Sequence, residues 1–128
     1  MTRILLVFAG GGLGAVVRYV STLLAARVCG TAFPWGTLSV NLAGCLLIGV
    51  LFGLSEQKSM FSPEVRLLLM TGFLGGLTTF STYALETANL TRTGSLPGAV
   101  SNLLANNGVG LVLVVAGMWL VQKLTPGS

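Results

Sequence analysis

Four uncharged stretches constrain the fold of this chain more than any other feature of its sequence. They cover residues 4–17, 28–55, 67–85 and 93–122, with lengths of 14, 28, 19 and 30 residues. A helix needs roughly 20 apolar residues to cross the hydrocarbon core of a bilayer, and 53% of the residues are hydrophobic. The sequence therefore predicts an all-α integral membrane protein: one domain of four transmembrane helices, at about 4–26, 35–55, 63–89 and 98–123.

The charged residues and the missing histidine exclude several classes of function. The seven basic residues are scattered singly, although the net charge is +4, so the chain offers no basic patch for nucleic acid. The absence of histidine removes the usual acid–base group at neutral pH. An enzyme would need a nucleophile beside a base. We find no such pair, so the chain is not predicted to be an enzyme.

The third uncharged stretch is unusually polar between Thr71 and Glu86. It reads T-G-F-L-G-G-L-T-T-F-S-T-Y-A-L-E, with three glycines, five hydroxyls and three aromatic rings. Lipid offers no hydrogen bonds, so such residues are tolerated at membrane depth mainly where they face protein or a wet cavity. This stretch is therefore predicted to line a path across the membrane.

A break in the third helix is predicted within the same stretch. Just after Gly75 and Gly76, four hydroxyl residues flank Phe80: Thr78, Thr79, Ser81 and Thr82. Such a run near mid-membrane favours a local break, which frees backbone carbonyls. Freed carbonyls that converge from two subunits would form a site for a bare cation.

Polar residues also mark one face of the second helix and one face of the fourth. Thr37 and Asn41 share a face, because residues four apart are neighbours on a helix. Asn102, Asn106 and Gly110 repeat with the same spacing. An intramembrane asparagine either joins two helices or offers a neutral donor to an anion, and the spacing is compatible with both roles.

Glycine pairs and balanced charges favour an antiparallel homodimer. Gly10 and Gly14, like Gly72 and Gly76, form G-x-x-x-G pairs that let backbones approach closely. One membrane face would carry Arg3, Lys58, Arg66 and Lys123, and the other Arg18, Arg27 and Arg92. A bias of four to three leaves the orientation almost undecided, so the chain is expected to insert both ways.

Two charges fall inside the predicted helices, Arg18 and Glu86. Arg18 either snorkels toward the headgroups or faces the protein interior, where it raises the electrostatic potential for an anion and needs a partner. The first and third helices run in the same direction, and both residues fall toward the same end. Glu86 is therefore the predicted partner of Arg18.

Three motifs resemble the Fluc/CrcB family of fluoride channels. They are G-G-L-G-A-x-x-R-Y at 11–19, W-G-T-L-x-V-N-L-x-G at 35–44 and T-G-F-L-G-G-L-T-T-F-S-T at 71–82, followed by Glu86. The resemblance implies a fluoride-selective channel for passive efflux, which lowers cytoplasmic fluoride and lies in the cell inner membrane. It also implies a dual-topology homodimer with two fluoride pores and a structural sodium ion between the subunits.

The same resemblance assigns residues to these sites. Gly75 and Thr78 match the positions whose carbonyls hold the sodium ion. Phe80 and Tyr83 match the two aromatic positions that face the pores, and Asn41 matches the pore asparagine. The family usually has phenylalanine at the position of Tyr83, so this chain departs from the pattern there. It also departs on helix 4, where the hydroxyl-bearing track of the family is represented by Asn102, Asn106 and Gly110.

The chemistry of these residues suits a fluoride pore. Such a pore replaces the water around the ion with neutral donors, without a fixed cation that would trap it. The predicted donors are Asn41, Thr79, Ser81, Thr82 and Asn106. Phe80 and Tyr83 can present electropositive ring edges, although their spacing is also typical of ordinary packing. If the ring edge is what matters, Tyr83→Phe is expected to keep conduction and selectivity.

A small dual-topology multidrug-type exporter is the alternative function, because such exporters also have four helices at this length. That mechanism needs a proton-coupled carboxylate within a helix, preferably the first. The first helix has no acid, and Glu86 is the only intramembrane candidate. A structural subunit of a larger complex is a further alternative, which liposomes containing only this chain would distinguish from a channel.

Overall fold

The computed structural model describes residues 1–58 and 61–125, and the side chains of these residues except 57 and 58. Throughout these ranges the regular structure is helical. Four helical segments are long and apolar enough to cross a membrane: Thr2–Cys29, Trp35–Glu56, Pro63–Arg92 and Leu96–Leu124. The prediction of an all-α chain with four such segments is confirmed. Lys58, one of the charges counted above, has a side chain outside the described residues.

The first two membrane-crossing segments are continuous helices. Helix α1 spans Thr2–Cys29. It ends at Gly30, whose φ of 78° favours glycine and whose N–H closes the last turn on the Ala26 carbonyl at 3.1 Å. Helix α2 spans Trp35–Lys58 and follows Pro34, a residue suited to the start of a helix.

The third segment begins with a capped helix, α3, at residues 63–77. The Ser62 hydroxyl accepts a hydrogen bond from the Val65 N–H at 3.3 Å, and Pro63 occupies the first helical position. A serine cap followed by proline is a typical start of a helix. The turns of Leu67–Leu74 are π-helical, and the helix ends in an α-helical turn at Gly75–Leu77.

Two residues with extended backbone interrupt the third segment. Thr78 and Thr79 have ψ angles of 158° and 121°, far from the helical value near −42°. Helix α4 then spans Phe80–Arg92, with Thr79 as its N-cap: the Thr79 hydroxyl accepts the Thr82 N–H. The interruption therefore lies inside the run of hydroxyl residues, and a threonine cap starts the second half of the segment.

The fourth segment is one helix, α5, over Leu96–Leu124. The turn before it contains Gly94, with φ of 82°. The helix is π-helical over Ala105–Val109, where the Gly110 N–H reaches back to the Ala105 carbonyl. All helix bounds lie within three residues of the predicted ones, counting α3 and α4 together.

Glycines bring α1 and α3 into backbone contact. A side chain at Gly10 would meet the Leu68 carbonyl, and one at Gly14 would meet the Phe73 carbonyl. On the other helix, Gly76 faces the backbone of α1 in the same way. The two G-x-x-x-G pairs are therefore used within one chain. The predicted close approach of two backbones at these pairs occurs between α1 and α3, so the pairs do not themselves support a homodimer.

The remaining helices surround a small apolar core. Helix α2 packs along the second half of α5, and α4 packs on the first half of α5. Two glycines allow this close packing: Gly49 of α2 lies against the Val114 carbonyl of α5, and Gly117 of α5 lies against the Leu46 carbonyl of α2. Val40, Leu74 and Leu77 form the buried core. This packing leaves the interruption between α3 and α4 beside α2 and α5.

Candidate functional site

A cavity of about 370 Å³ lies beside the interruption between α3 and α4. Its lining includes six polar residues: Asn41, Thr78, Thr79, Tyr83, Asn106 and Asn107. Apolar side chains and glycines supply most of the rest, and no charged side chain of the described residues lines it. The cavity therefore surrounds its contents with neutral hydrogen-bonding groups, without a fixed charge.

Asn41 holds the backbone at the interruption. Its Oδ1 accepts the Thr79 N–H at 2.8 Å, and its Nδ2 donates to the Thr79 carbonyl at 3.1 Å. The second Nδ2 hydrogen goes to Asn106 Oδ1 at 2.8 Å. The side chain thus supplies the partners that a helix would supply to Thr79. The predicted role of Asn41 as a pore donor requires one of these protein partners to be exchanged for the anion.

A chain of hydrogen bonds continues from Asn41 through α5 to α4. Asn106 Nδ2 donates to Asn102 Oδ1 at 2.9 Å, and Asn102 is fully buried. Asn102 Nδ2 in turn donates to the Thr87 hydroxyl at 2.9 Å. The Thr87 hydroxyl donates to the Tyr83 carbonyl at 2.9 Å. Each group in this amide chain donates to the next one, so each hydrogen bond polarises the bond that follows it. The chain connects α2, α5 and α4.

The interruption frees the two carbonyls predicted to hold a cation. In an unbroken helix the Gly75 and Thr78 carbonyls would accept the N–H groups of Thr79 and Thr82. The Thr79 N–H donates instead to Asn41, and the Thr82 N–H donates to the Thr79 hydroxyl at 3.3 Å. Gly75 is also exposed, with nothing within 4 Å of the place where a side chain would be.

Phe80 and Tyr83 form an aromatic pair next to the cavity. Their ring centroids lie 5.5 Å apart, with an angle of 66° between the planes. Phe80 is 75% exposed, whereas Tyr83 is buried. The Tyr83 hydroxyl accepts a hydrogen bond from Asn107 Nδ2 at 2.7 Å. The pair therefore combines one free ring with one ring that is held at its hydroxyl.

The predicted pairing of Arg18 with Glu86 is wrong within the chain. Arg18 Nη1 donates to the Thr78 carbonyl at 3.4 Å, so the guanidinium lies against the interruption. Glu86 Oε1 accepts the Thr37 hydroxyl at 2.7 Å, and Glu86 Oε2 is buried with no hydrogen-bond partner in the described part of the chain. Arg18 and Glu86 both lie toward the same end of the helix bundle, as expected, but the hydrogen-bond partner of the Glu86 carboxylate is Thr37.

Two larger cavities lie at the two ends of the helix bundle. One, of about 480 Å³, is formed by the α1–α2 loop and the end of α4, and its lining includes Glu86 and Thr37. The other, of about 460 Å³, lies at the opposite end and its lining includes Arg3, Glu56 and Arg66. It shares Met70 with the central cavity. Charged residues thus line the end cavities and not the centre.

Most of the predicted site residues converge on the central cavity. Those that line it are Asn41, Gly75, Thr78, Thr79, Phe80, Tyr83 and Asn106. Ser81 and Thr82 do not line it and are exposed on the outside of α4. Asn107 is not among the predicted residues, because an α-helical spacing of four from Asn102 leads to Asn106. The π-helical turns at 105–109 place Asn107 beside the cavity as well.

Comparison with known proteins gives a consistent family. A family model described as "CrcB-like protein, Camphor Resistance (CrcB)" matches residues 5–118. A protein of Rhizobium johnstonii named "Fluoride-specific ion channel FluC" is 43% identical over 97% of this chain and 99% of its own length. Proteins with the same name are 46% identical in Shewanella halifaxensis, over 94% of this chain and 97% of that protein, and 47% in Salinibacter ruber, over 91% and 87%.

Proposed function

Because this chain belongs to the CrcB family and is a fluoride channel rather than an enzyme, we propose that fluoride passes through the uncharged cavity between α2, α4 and α5. The observation that carries this proposal is the lining: Asn41, Tyr83 and Asn106 border about 370 Å³, and no charged side chain of the described part of the chain lines it. Neutral donors can replace water around fluoride without trapping it. The family leaves the multidrug-exporter alternative without support.

The two end cavities would be the entrance and the exit of this path. Arg3, Arg66 and Glu56 line one end cavity, where the excess of positive over negative charge raises the local concentration of anions. Glu86 lines the other, beside Thr37. Fluoride would thus cross from one charged mouth to the other through a neutral centre, and the flow would be passive.

Fluoride efflux from liposomes tests the path. We expect purified chain to release fluoride, read with an electrode, without a proton gradient and without comparable chloride release. Phe80→Ile removes the ring quadrupole and is expected to lower fluoride efflux at least about tenfold, the effect of 1.4 kcal/mol on the barrier. Phe8→Ile, at an exposed ring on α1, is the matched control. Equal efflux from both variants would exclude Phe80 from the path.

An antiparallel homodimer would complete the site. Gly75, Ser81 and Thr82 are exposed near the middle of the third segment, where lipid cannot pair with hydroxyl or carbonyl groups. A second copy of the chain can cover them, and the near-equal charges of the two membrane faces allow both orientations. The same proposal places the channel in the cell inner membrane, where efflux lowers cytoplasmic fluoride.

Cysteine labelling tests the dual topology. The variant Thr2→Cys, in a chain with Cys29→Ser and Cys45→Ala, is expected to react with impermeant reagents from both sides of the cell membrane. Fractionation of the same cells locates the protein in the inner or another membrane. Reaction from one side alone would contradict the antiparallel arrangement.

A structural sodium ion fits the carbonyls at the interruption. Neutral carbonyl oxygens suit a hard cation of low charge, and the Gly75 and Thr78 carbonyls have lost their helical donors. Two subunits would contribute two such pairs. Arg18 Nη1 donates to the Thr78 carbonyl at 3.4 Å. A sodium ion at this carbonyl would have to displace the guanidinium or share the carbonyl oxygen with it.

Removal of sodium tests this site in two ways. Purification and assay with a large organic cation in place of all sodium is expected to abolish fluoride efflux and to lower the thermal stability of the dimer, because the carbonyls of the two subunits then lose the ion that joins them. Restored sodium is expected to recover both. Unchanged efflux and unchanged stability would rule the ion out.

A further inference from the structure

The Tyr83 hydroxyl differs from every other hydrogen-bonding side chain of the central cavity in how its hydrogen is used. Asn41 and Asn106 donate both amide hydrogens to protein oxygens. Asn107 does the same, with the Tyr83 hydroxyl and the Leu103 carbonyl as acceptors. These amides can therefore reach an ion only by giving up a protein acceptor.

The two threonines that line the cavity are also occupied. The Thr78 hydroxyl donates to the Leu74 carbonyl at 3.0 Å, and the Thr79 hydroxyl donates to the Thr82 hydroxyl at 3.0 Å. The Tyr83 hydroxyl accepts from Asn107, but no described residue accepts its hydrogen. A phenol has one hydrogen to donate. Among the side-chain oxygen and nitrogen donors of the described lining, Tyr83 alone has a hydrogen that no described protein group takes.

We infer that Asn107 positions the Tyr83 hydroxyl as the hydrogen-bond donor to fluoride in the central cavity. This inference rests on the proposed path through that cavity. A donor held at its oxygen keeps its hydrogen directed away from Asn107. Donation from Asn107 also polarises the phenol and strengthens the bond it gives to an anion. The buried ring of Tyr83 fixes the position of the oxygen.

The inference reverses the expectation from the sequence that Tyr83→Phe is tolerated. We expect Tyr83→Phe to lower fluoride efflux about tenfold, the size of one hydrogen bond to an ion. The fluoride-to-chloride ratio is expected to fall as well, because chloride gains less from a short, strong donor. Tyr19→Phe removes the hydroxyl of an exposed tyrosine on α1 and serves as the control.

The variant Asn107→Leu tests whether Asn107 positions the Tyr83 hydroxyl or merely packs beside it. The variant keeps the side-chain volume and removes the amide, so the Tyr83 hydroxyl loses its partner. We expect it to lower efflux and selectivity about as much as Tyr83→Phe, and the double variant to be no worse than either, because residues of one hydrogen-bonded unit are not additive. A merely structural role would lower thermal stability and leave the fluoride-to-chloride ratio unchanged.

The outcomes distinguish the inference from the path. If Phe80→Ile lowers efflux while Tyr83→Phe changes neither efflux nor selectivity, the path stands and the inference is overturned. If Phe80→Ile and Tyr83→Phe both leave efflux unchanged, the proposed path itself falls. Additive losses in the double variant would overturn the positioning role of Asn107.

Discussion

Helices α3 and α4 are two halves of one membrane-crossing segment, and the rest of the chain holds them in different ways. Helix α3 lies backbone to backbone against α1, through Gly10, Gly14 and Gly76. Helix α4 packs on the first half of α5, and polar side chains such as Thr87 and Tyr83 bind it there. Close packing tolerates no added atoms, whereas a hydrogen bond can exchange its partner. The chain thus places its exchangeable bonds on the half that carries the aromatic pair, Phe80 and Tyr83.

The largest effect is expected from a side chain in the glycine contact. Gly14→Leu would push against the Phe73 carbonyl and the Leu77 N–H, and overpacking of this kind costs about 3 kcal/mol. We expect little folded protein in detergent, measured by size-exclusion chromatography and thermal unfolding. Gly12→Ala is the control, since nothing lies within 4 Å of that position. Equal yields of both variants would mean that α1 and α3 are free to separate.

A smaller loss of stability is expected from Asn41→Leu, at the junction of the two halves. The Thr79 N–H, the Thr79 carbonyl and Asn106 Oδ1 would lose their partner. Three intramembrane hydrogen bonds are worth about 2 kcal/mol together, to be measured by unfolding in denaturing detergent. Asn89→Leu, at an exposed residue of α4, controls for the loss of an amide. A loss no greater than that of Asn89→Leu would show that Asn41 does not hold the interruption.

The smallest effect is expected from a hydrogen bond between α2 and α4 that lies toward one end of the helix bundle, the bond from Thr37 to Glu86. Thr37→Val keeps the shape of a buried side chain and removes the donor to Glu86 Oε1. We expect a destabilisation of about 0.6 kcal/mol in the same unfolding measurement. Thr31→Val, in the exposed loop before α2, is the control. A loss above that of Asn41→Leu would reverse the proposed order of the contacts.

The sequence predicted the membrane-crossing segments well, because hydrophobic length is a local property. It also located the polar run that contains Thr78 and Thr79. It did not predict which surface the glycine pairs contact, since a G-x-x-x-G pair fits a helix of the same chain as well as one of another. Asn107 was missed for a different reason. Its position depends on π-helical turns at 105–109. The residues Asn106, Asn107 and Gly108 are weak helix formers, but weak propensity does not show which way a helix departs from the α form.

The amide chain from Thr79 to Tyr83 has an electrical consequence. Its donors all point from Asn41 toward Thr87, so its bond dipoles add to one resultant within a subunit. In the proposed antiparallel dimer, a two-fold axis in the membrane plane reverses the component of this resultant along the membrane normal. The two contributions cancel across the bilayer. In that proposed dimer each pathway would keep a built-in polarity, while the dimer as a whole would conduct equally in both directions.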